Sequence, residues 1–199
     1  MATTLFLVRH AVHALLGRVL TGRMDHVNLD REGREQARRL AKRLAHEGVT
    51  LVQSSPRERA RQTAEAIAEQ SCAPVEVVPE IDEVDVGEWT GRRMTELETD
   101  SRWLVWNSER DAARAPGGES IADVRARVWA HLLALPTRHP GGRIALVSHA
   151  EIIRTVVLHC LGLPFSAFGM VEIGPASVTT LVMDAFGPKI IAVNKAADA

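Results

Sequence analysis

Short apolar runs alternate along this chain with longer segments whose apolar residues recur at helical spacing, and this alternation most restricts the fold. The runs TLFLVR (4–9), VTLVQSS (49–55), VEVV (75–78) and RIALVS (143–148) are typical of buried strands. Helical patterns follow each of them, at 31–47, from Pro56 to about Ala68, at 120–135 and at 150–161. Strand–helix alternation of this kind predicts a mostly parallel sheet.

The predicted fold class is therefore α/β, a three-layer α/β/α sandwich with helices on both faces of a mostly parallel central sheet. A length of 199 residues suits one domain over 1–199, and a hydrophobic fraction of 46% supplies a sizeable core. The segment 80–118 is irregular, with two short helices expected at 92–98 and 101–109. The tail predicts strands near 170–174, 177–184 and 189–193, with Gly187-Pro188 as a turn.

Two helix starts carry the pattern of a capping box. Ser55, Pro56 and Glu58 predict one at the start of the second helix, with proline in its first position. Ser148 and Glu151 predict another ahead of the helix at 150–161. Both are structural interpretations of polar residues that stand next to strand ends.

Charge and cysteine content exclude several classes of protein. The net charge of −1 gives no overall field for nucleic acid or an acidic membrane surface. Two distant cysteines, Cys72 and Cys160, predict neither a disulfide framework nor a zinc site and suit a reducing compartment. No signal-peptide layout or membrane-spanning apolar run occurs, so a cytoplasmic protein is expected. The chain has no HExxH and no clustered acidic ligands, so metal independence is expected.

Basic side chains stand where three predicted strands end. Arg9 and His10 end the first strand, Arg59 lies one turn into the helix after the second, and His149 follows the strand 143–148. Parallel strands bring their carboxyl ends to one edge of the sheet, which is where ligands bind in open α/β folds. Two arginines and two histidines together, beside helix N-termini, predict a phosphate site, because guanidinium forks match phosphate oxygens.

Most other basic residues have a simpler interpretation. A single histidine is more often a structural residue than a catalyst, and this applies to His13, His26, His46, His131, His139 and His159. A solvated helix face explains Arg34, Arg38, Arg39, Lys42, Arg57 and Arg61. The joint placement of the four strand-end residues is what sets them apart.

Five segments resemble blocks of the histidine phosphatase superfamily, which includes cofactor-dependent phosphoglycerate mutases and many small phosphatases. They are LVRHA (7–11), SSPRERARQTAE (54–65), EVDVGEWTG (83–91), PGGES (116–120) and LVSHAEIIR (146–154). They stand in the family's order over most of the chain. The resemblance implies a phosphoglycerate mutase-like fold and membership of the small phosphatase branch.

The resemblance also implies roles for individual residues. His10 would be the nucleophile that carries a phosphohistidine, and Arg9, Arg59 and His149 would hold the phosphoryl oxygens. Glu83 would protonate the leaving group and later activate water. Four other acids lie nearby, Glu80, Asp82, Asp85 and Glu88, and only the family spacing to Gly87 and Trp89 selects Glu83. No cofactor is implied.

The chain departs from the family pattern beside its charged residues. Ala11 stands in place of the usual glycine after the nucleophile, and Val12 and His13 follow it. Ala150 and Glu151 replace a glycine pair after His149. These changes leave the substrate open. Candidate substrate contacts are His13, Arg18, Thr21 and Gly22.

Three functions remain open on sequence grounds: a phosphomonoester hydrolase, a phosphoglycerate-type mutase, and a catalytically weak module that binds a phosphorylated ligand. The hydrolase is favoured because the interval before PGGES is short and has no proline before Pro116, unlike the longer insertion of the mutases. The segment 92–115 is expected to roof the pocket of a small phosphorylated substrate, with contacts from Trp103, Trp106, Arg102, Arg110 and Arg114. The physiological substrate and the oligomeric state cannot be read from the sequence.

Overall fold

A computed structural model describes residues 1–196. Its sheet has six strands in the order β3-β2-β4-β1-β5-β6. The strands are β1 (Thr3–Arg9), β2 (Leu51–Ser54), β3 (Val75–Val77), β4 (Arg143–Ser148), β5 (Val178–Asp184) and β6 (Gly187–Lys195). Pairings among β1 to β4 are parallel, and β5 and β6 add an antiparallel hairpin beside β1.

Helices cover both faces of the sheet. They are α1 (Arg31–Ala45), α2 (Glu58–Ser71), α3 (Met94–Leu97), α4 (Ser101–Ser108), α5 (Ile121–Arg138) and α6 (Ala150–Cys160). Side chains alternate across β1, so that Phe6 and Val8 pack with α1 and α2 while Leu5 and Leu7 pack with α5 and α6. The predicted three-layer α/β/α architecture is confirmed.

The two predicted capping boxes are wrong. Arg57 is the N-cap of α2 and makes no side-chain cap, and Pro56 precedes the helix. The N-cap of α6 is His149, also without a side-chain cap. Ser148 instead donates to the carbonyl of Ile81 at 2.7 Å. Ser55 still accepts the amide of Arg57 at 3.3 Å, but its hydroxyl also contacts His149 at 2.8 Å and Asp82 at 2.9 Å, both distant in sequence.

The tail differs from its predicted pattern in two places. Residues 170–174 do not form a strand, because a 3₁₀ helix over Phe165–Met170 leads into irregular backbone. The hairpin turns at Ala185 and Phe186, two residues before the predicted turn, and Gly187 with φ of 103° already begins β6. Among residues 1–196 no helix is both long and apolar enough to cross a membrane.

Candidate active site

The carboxyl ends of β1 and β4 meet as the parallel arrangement requires. Arg9 pairs in register with Ser148, and the amide of His10 donates to the carbonyl of Ser148 at 2.9 Å. His10 follows Arg9 and His149 follows Ser148, so the two histidines lie next to each other. The ring centroids of His10 and His149 lie 5.2 Å apart.

His10 is buried, and one hydrogen bond settles which of its nitrogens carries the proton. Its Nδ1 lies 2.8 Å from the carbonyl oxygen of Ala11, which only accepts, so Nδ1 holds the proton and Nε2 keeps its lone pair. Burial and the nearby Arg59 guanidinium hold the pKa of His10 well below its usual value. The ring is therefore neutral at physiological pH, with Nε2 as a nucleophilic atom.

Two guanidinium groups beside His10 have unused donors. Arg59 is fully buried; it donates to the carbonyl of Gly22 at 2.7 Å and to Nδ1 of His149 at 3.3 Å. Its Nε and Nη1 are buried and have no partner among residues 1–196, and the same is true of Nε of Arg9. Buried donors without partners are costly, so these atoms are suited to donate hydrogen bonds to an anion.

Gly22 lets the loop come close enough to meet Arg59. Its φ is +45°, in the region that favours glycine. A Cβ at this position would lie 2.6 Å from Cγ2 of Val86. The carbonyl that anchors Arg59 therefore depends on a residue without a side chain.

A buried chain of hydrogen bonds orients His149. Its Nε2 lies 2.8 Å from Oγ of Ser55, and that hydroxyl donates to Oδ1 of Asp82 at 2.9 Å. Arg57 donates to the same oxygen of Asp82 at 3.1 Å. Since Nδ1 of His149 accepts from Arg59, the proton of the neutral ring is on Nε2. Burial, and then the Arg59 charge, lower the pKa of His149.

Glu83 stands apart from the other acids of its loop. Burial raises the pKa of its carboxyl to about 7, against the opposing charge of Arg59. Oε1 accepts the amide of Val84 at 2.9 Å, and Oε2 lies 3.5 Å from Nδ1 of His149. A carboxyl with this pKa exchanges protons readily near neutral pH.

The other acids of the loop are engaged elsewhere. Asp82 is held by Ser55 and Arg57, and Asp85 accepts the amide of Gly87. Glu88 pairs with Arg102 at 3.0 Å. Of these acids only Glu83 lines the cavity that contains His10.

The PGGES segment fixes the position of this loop. Glu119 accepts the amide of Asp85 at 3.0 Å and pairs with Arg23 and Arg127, each at 2.9 Å. Those two arginines also donate to the carbonyl of Glu83, at 2.9 and 3.1 Å. The backbone of the candidate acid is therefore held from two sides.

A cavity of about 200 Å³ opens above His10 and contains most of the predicted contacts. His13, Thr21 and Gly22 line it together with Arg9 and Glu83. Burial lowers the pKa of His13 to about 4. Arg18 is exposed and is not part of this lining.

The basic residues of the segment 92–115 divide into exposed and buried ones. Arg102 and Arg114 are exposed and paired with Asp100 and Asp123. Trp103, Trp106 and Arg110 line a second, apolar cleft next to the first cavity. Within residues 1–196 no group of three or more His, Cys, Asp or Glu side chains is arranged to hold a metal ion.

Sequence reasoning missed three residues that support the site. Ser55 was interpreted as a helix cap, Arg57 as part of a solvated face, and Asp82 as one of several loop acids. The Arg57 side chain is only 16% exposed and that of Asp82 only 8%. The unusual position of Arg57, directly between a proline and the first helical residue, was the one local signal against a solvated face.

Comparisons with known proteins agree with this geometry. The sequence model of the histidine phosphatase superfamily (branch 1) matches residues 5–196. The chain is 32% identical over 194 residues to phosphoserine phosphatase 1 of Hydrogenobacter thermophilus, covering 96% of this chain and 91% of the relative. A probable phosphoglycerate mutase of Enterobacter sp. is 31% identical over 180 residues, covering 88% and 83%.

A solved structure extends the similarity to the fold. The mycobacterial glucosyl-3-phosphoglycerate phosphatase superposes with a TM-score of 0.86 at 27% identity, over 98% of this chain and all of that one. Relatives named as phosphatases and a relative named as a probable mutase thus each match most of this chain. This chain belongs to the histidine phosphatase superfamily.

Proposed function

We propose that the chain is a phosphomonoester hydrolase that forms a phosphohistidine at Nε2 of His10. The observation that carries the proposal is the state of His10. Its ring is neutral and its proton is held on Nδ1, while Arg9 and Arg59, whose charges act on it, have buried donor atoms without a partner in residues 1–196. This combination suits in-line attack on phosphorus.

In the first step Nε2 of His10 bonds to phosphorus as the ester oxygen leaves. Arg9, Arg59 and His149 hold the non-bridging oxygens, where comparable preorganised donors each contribute roughly 2.7–4 kcal/mol to transition-state stabilisation. Glu83 gives its proton to the departing oxygen, so that an alcohol and not an alkoxide is released. The pKa of about 7 keeps a large fraction of Glu83 protonated near neutral pH for this purpose.

In the second step water replaces His10 on phosphorus. Glu83, now a carboxylate, takes a proton from the attacking water. The P–N bond breaks, inorganic phosphate leaves, and His10 recovers its lone pair. Each group returns to its starting state, so no cofactor enters the cycle.

A mutase remains the second candidate, because the Enterobacter relative is named as one. The two activities share the phosphohistidine and differ in what accepts the phosphoryl group. The hydrolase is preferred since 25 residues or so separate the acid loop from PGGES, too few for the long insertion of the mutases. A binding module without catalysis is disfavoured by a nucleophile and an acid with suitable protonation states in one cavity.

The substrate proposed is a small phosphorylated metabolite. The relatives are named for phosphoserine, phosphoglycerate and glucosyl-3-phosphoglycerate, all small phosphomonoesters. The cavity above His10, about 200 Å³, suits a substrate of that size. A cytoplasmic location belongs to the same proposal, supported by the free thiols of Cys72 and Cys160.

The test is to trap the covalent intermediate. Purified protein is mixed with p-nitrophenyl phosphate, quenched in alkali and digested, and the phosphorylated peptide is identified by mass spectrometry. Phosphate on His10 is expected, with His10→Ala folded, inactive and unlabelled. His26→Ala, at a side chain that is 92% exposed, is the matched control and should behave as wild type. Label on another residue, or turnover by a folded His10→Ala protein, would refute the mechanism.

A further inference from the structure

An apolar cleft lies beside the cavity that contains His10. Its volume is about 270 Å³. Its apolar lining consists of Leu20, Val84, Val86, Met94, Trp103 and Trp106. The first three of these also line the His10 cavity, so the two spaces adjoin.

The aromatic side of this cleft is held rigidly. Trp89 is fully buried and meets Trp103 and Trp106 edge-on, at centroid distances of 5.3 and 5.9 Å. Interlocked aromatic rings of this kind lose little freedom when a ligand binds. The cleft is therefore a preformed apolar surface next to the cavity that contains His10 and Glu83.

A basic side chain, Arg110, lines the cleft, and its guanidinium is already paired with the carboxylate of Glu151. Among the described lining residues Arg110 is the only basic one; it stacks on Phe168 at 3.6 Å and is 6% exposed. Nη1 of Arg110 bonds to Glu151 at 2.5 Å and Nη2 bonds to Asn107 at 2.9 Å. Glu151 also pairs with Arg154.

Glu151 stands between the two spaces. It is the one acidic residue among the described groups that line both of them, and its side chain is 30% exposed. A substrate carboxylate that bound Arg110 would have to displace Glu151 and would be repelled by its negative charge. An apolar leaving group faces neither cost.

We propose that the cleft receives the leaving group of the substrate. Because Glu151 forms an ion pair with Arg110, the enzyme prefers phosphomonoesters of apolar alcohols and phenols that carry no carboxylate. This proposal rests on the phosphatase activity proposed above. It assigns to Glu151 a role in specificity and to the segment that carries Met94, Trp103 and Trp106 the role of a wall for the leaving group.

The first arm of the test measures kcat/KM for ethyl, butyl and hexyl phosphate. Their leaving groups have nearly equal basicity, so differences in kcat/KM report only how well the alkyl chain of the substrate is buried. Full burial of one CH₂ corresponds to about a fourfold gain, and we expect about two- to fourfold per CH₂. Met94→Glu, which places a charge in the cleft, should flatten the series, while Leu104→Glu on the exposed side of α4 should not.

The second arm compares 3-phosphoglycerate with glycerol 3-phosphate, which differ by a carboxylate. The wild type should favour glycerol 3-phosphate. Glu151→Gln replaces the carboxylate that holds Arg110 by a neutral amide, a weaker acceptor without the repelling charge, and should shift the ratio toward 3-phosphoglycerate about tenfold, the effect of one charge-assisted hydrogen bond. Because both substrates are measured at one pH, any effect on Glu83 cancels in the ratio. Glu109→Gln, an exposed acid outside the cleft, is the control.

The outcomes distinguish failure of the cleft proposal from failure of the proposed phosphatase activity. A protein active on p-nitrophenyl phosphate with a flat alkyl series would overturn the cleft proposal and leave the phosphatase intact. A wild-type preference for 3-phosphoglycerate that Glu151→Gln does not change would overturn the role of Glu151. Inactivity on every phosphomonoester would refute the phosphatase, and the cleft proposal would fall with it.

Discussion

Glu83→Gln tests the general acid by its dependence on the leaving group. Glutamine keeps the size of the side chain and an oxygen to accept the amide of Val84, but it has no proton to give. An alkoxide leaving from an alkyl phosphate is strongly basic and needs a proton as the P–O bond breaks. A nitrophenolate is a stable anion and needs little help.

The magnitude follows from the pKa of Glu83. At a pKa of about 7 the carboxyl is mostly protonated one unit below that pH and only about one-tenth protonated one unit above it. The kcat/KM of the wild type for hexyl phosphate should therefore fall roughly tenfold per pH unit above about pH 7. General acid catalysis contributes about 10²–10⁴-fold, so Glu83→Gln should lose that factor for hexyl phosphate.

The assay compares kcat/KM for hexyl phosphate and p-nitrophenyl phosphate across pH in both proteins. This parameter reports the first irreversible step and is not masked by slow hydrolysis of the phosphoenzyme. The variant should lose much more activity on the alkyl ester, and its alkyl profile should lose the limb near pH 7. Equal losses on both substrates, or an unchanged limb, would refute the assignment and leave Glu83 as a residue that shapes the cavity.

The same substitution has a consequence for stability with a defined sign. Folding raises the pKa of Glu83 from its usual 4.5 to about 7, so the native state binds a proton that the unfolded chain releases. Stability from this group is present below about pH 4.5 and is lost as the pH rises toward 7. At about pH 8, Glu83→Gln should therefore raise the free energy of unfolding, measured by urea titration, by up to about 3 kcal/mol. This increase should vanish at acid pH.

Three further outcomes are expected. Ser55→Ala removes the acceptor of His149 Nε2 and should lower kcat about tenfold or more in a folded protein, measured by steady-state kinetics beside circular dichroism. Gly22→Ala places a Cβ 2.6 Å from Val86 at a φ of +45° and should lower the free energy of unfolding by about 1–3 kcal/mol, measured by urea titration; an unchanged midpoint would contradict the clash. His10 and His149 have lowered pKa values and gain protons on unfolding, so their contribution to stability should fall as the pH drops below 6.5, opposite in sign to that of Glu83; in urea titrations across pH, His10→Ala should lose less stability on acidification than the wild type.

The strand-end cluster was predictable because a parallel sheet leaves little freedom. Once TLFLVR and RIALVS are neighbouring parallel strands, the residues that follow them share an edge. The observed register places Arg9 opposite Ser148, so His10 and His149 come next to each other without further information. Apolar period and strand direction predict the shared edge, whereas the adjacency of β1 and β4 and their register are known only from the structure.

The supporting contacts were not predictable because they join distant parts of the chain. Ser55 and Asp82 are 27 residues apart, and Ser55 and His149 are 94 apart. A local pattern offers Ser55 a helix amide, but a buried imidazole and a carboxylate bind its hydroxyl more strongly. The same holds for Glu151, which pairs with Arg110 across 41 residues in place of a cap.

The two histidines have similar burial and similarly lowered pKa values, yet their hydrogen bonds divide the roles that we propose for them. His10 donates through Nδ1 to the carbonyl of Ala11, which leaves the lone pair of Nε2 for phosphorus. His149 donates through Nε2 to Ser55 and accepts from Arg59 at Nδ1. A phosphoryl oxygen accepts more strongly than an imidazole, so in our proposal it takes the hydrogen bond of Arg59.

That exchange leaves Nδ1 of His149 facing an anion, and a lone pair there would be repelled. The negative charge of the phosphoryl group opposes the burial and the Arg59 charge that lower the pKa of His149, so in our proposal the ring takes up a proton from solvent as the substrate binds. His149 then donates from both nitrogens, to Ser55 and to the phosphoryl group. His10 cannot follow, because a proton on Nε2 would remove the nucleophile. In our proposal the backbone carbonyl of Ala11 and the hydroxyl of Ser55 thus assign one ring to bond formation and the other to charge stabilisation.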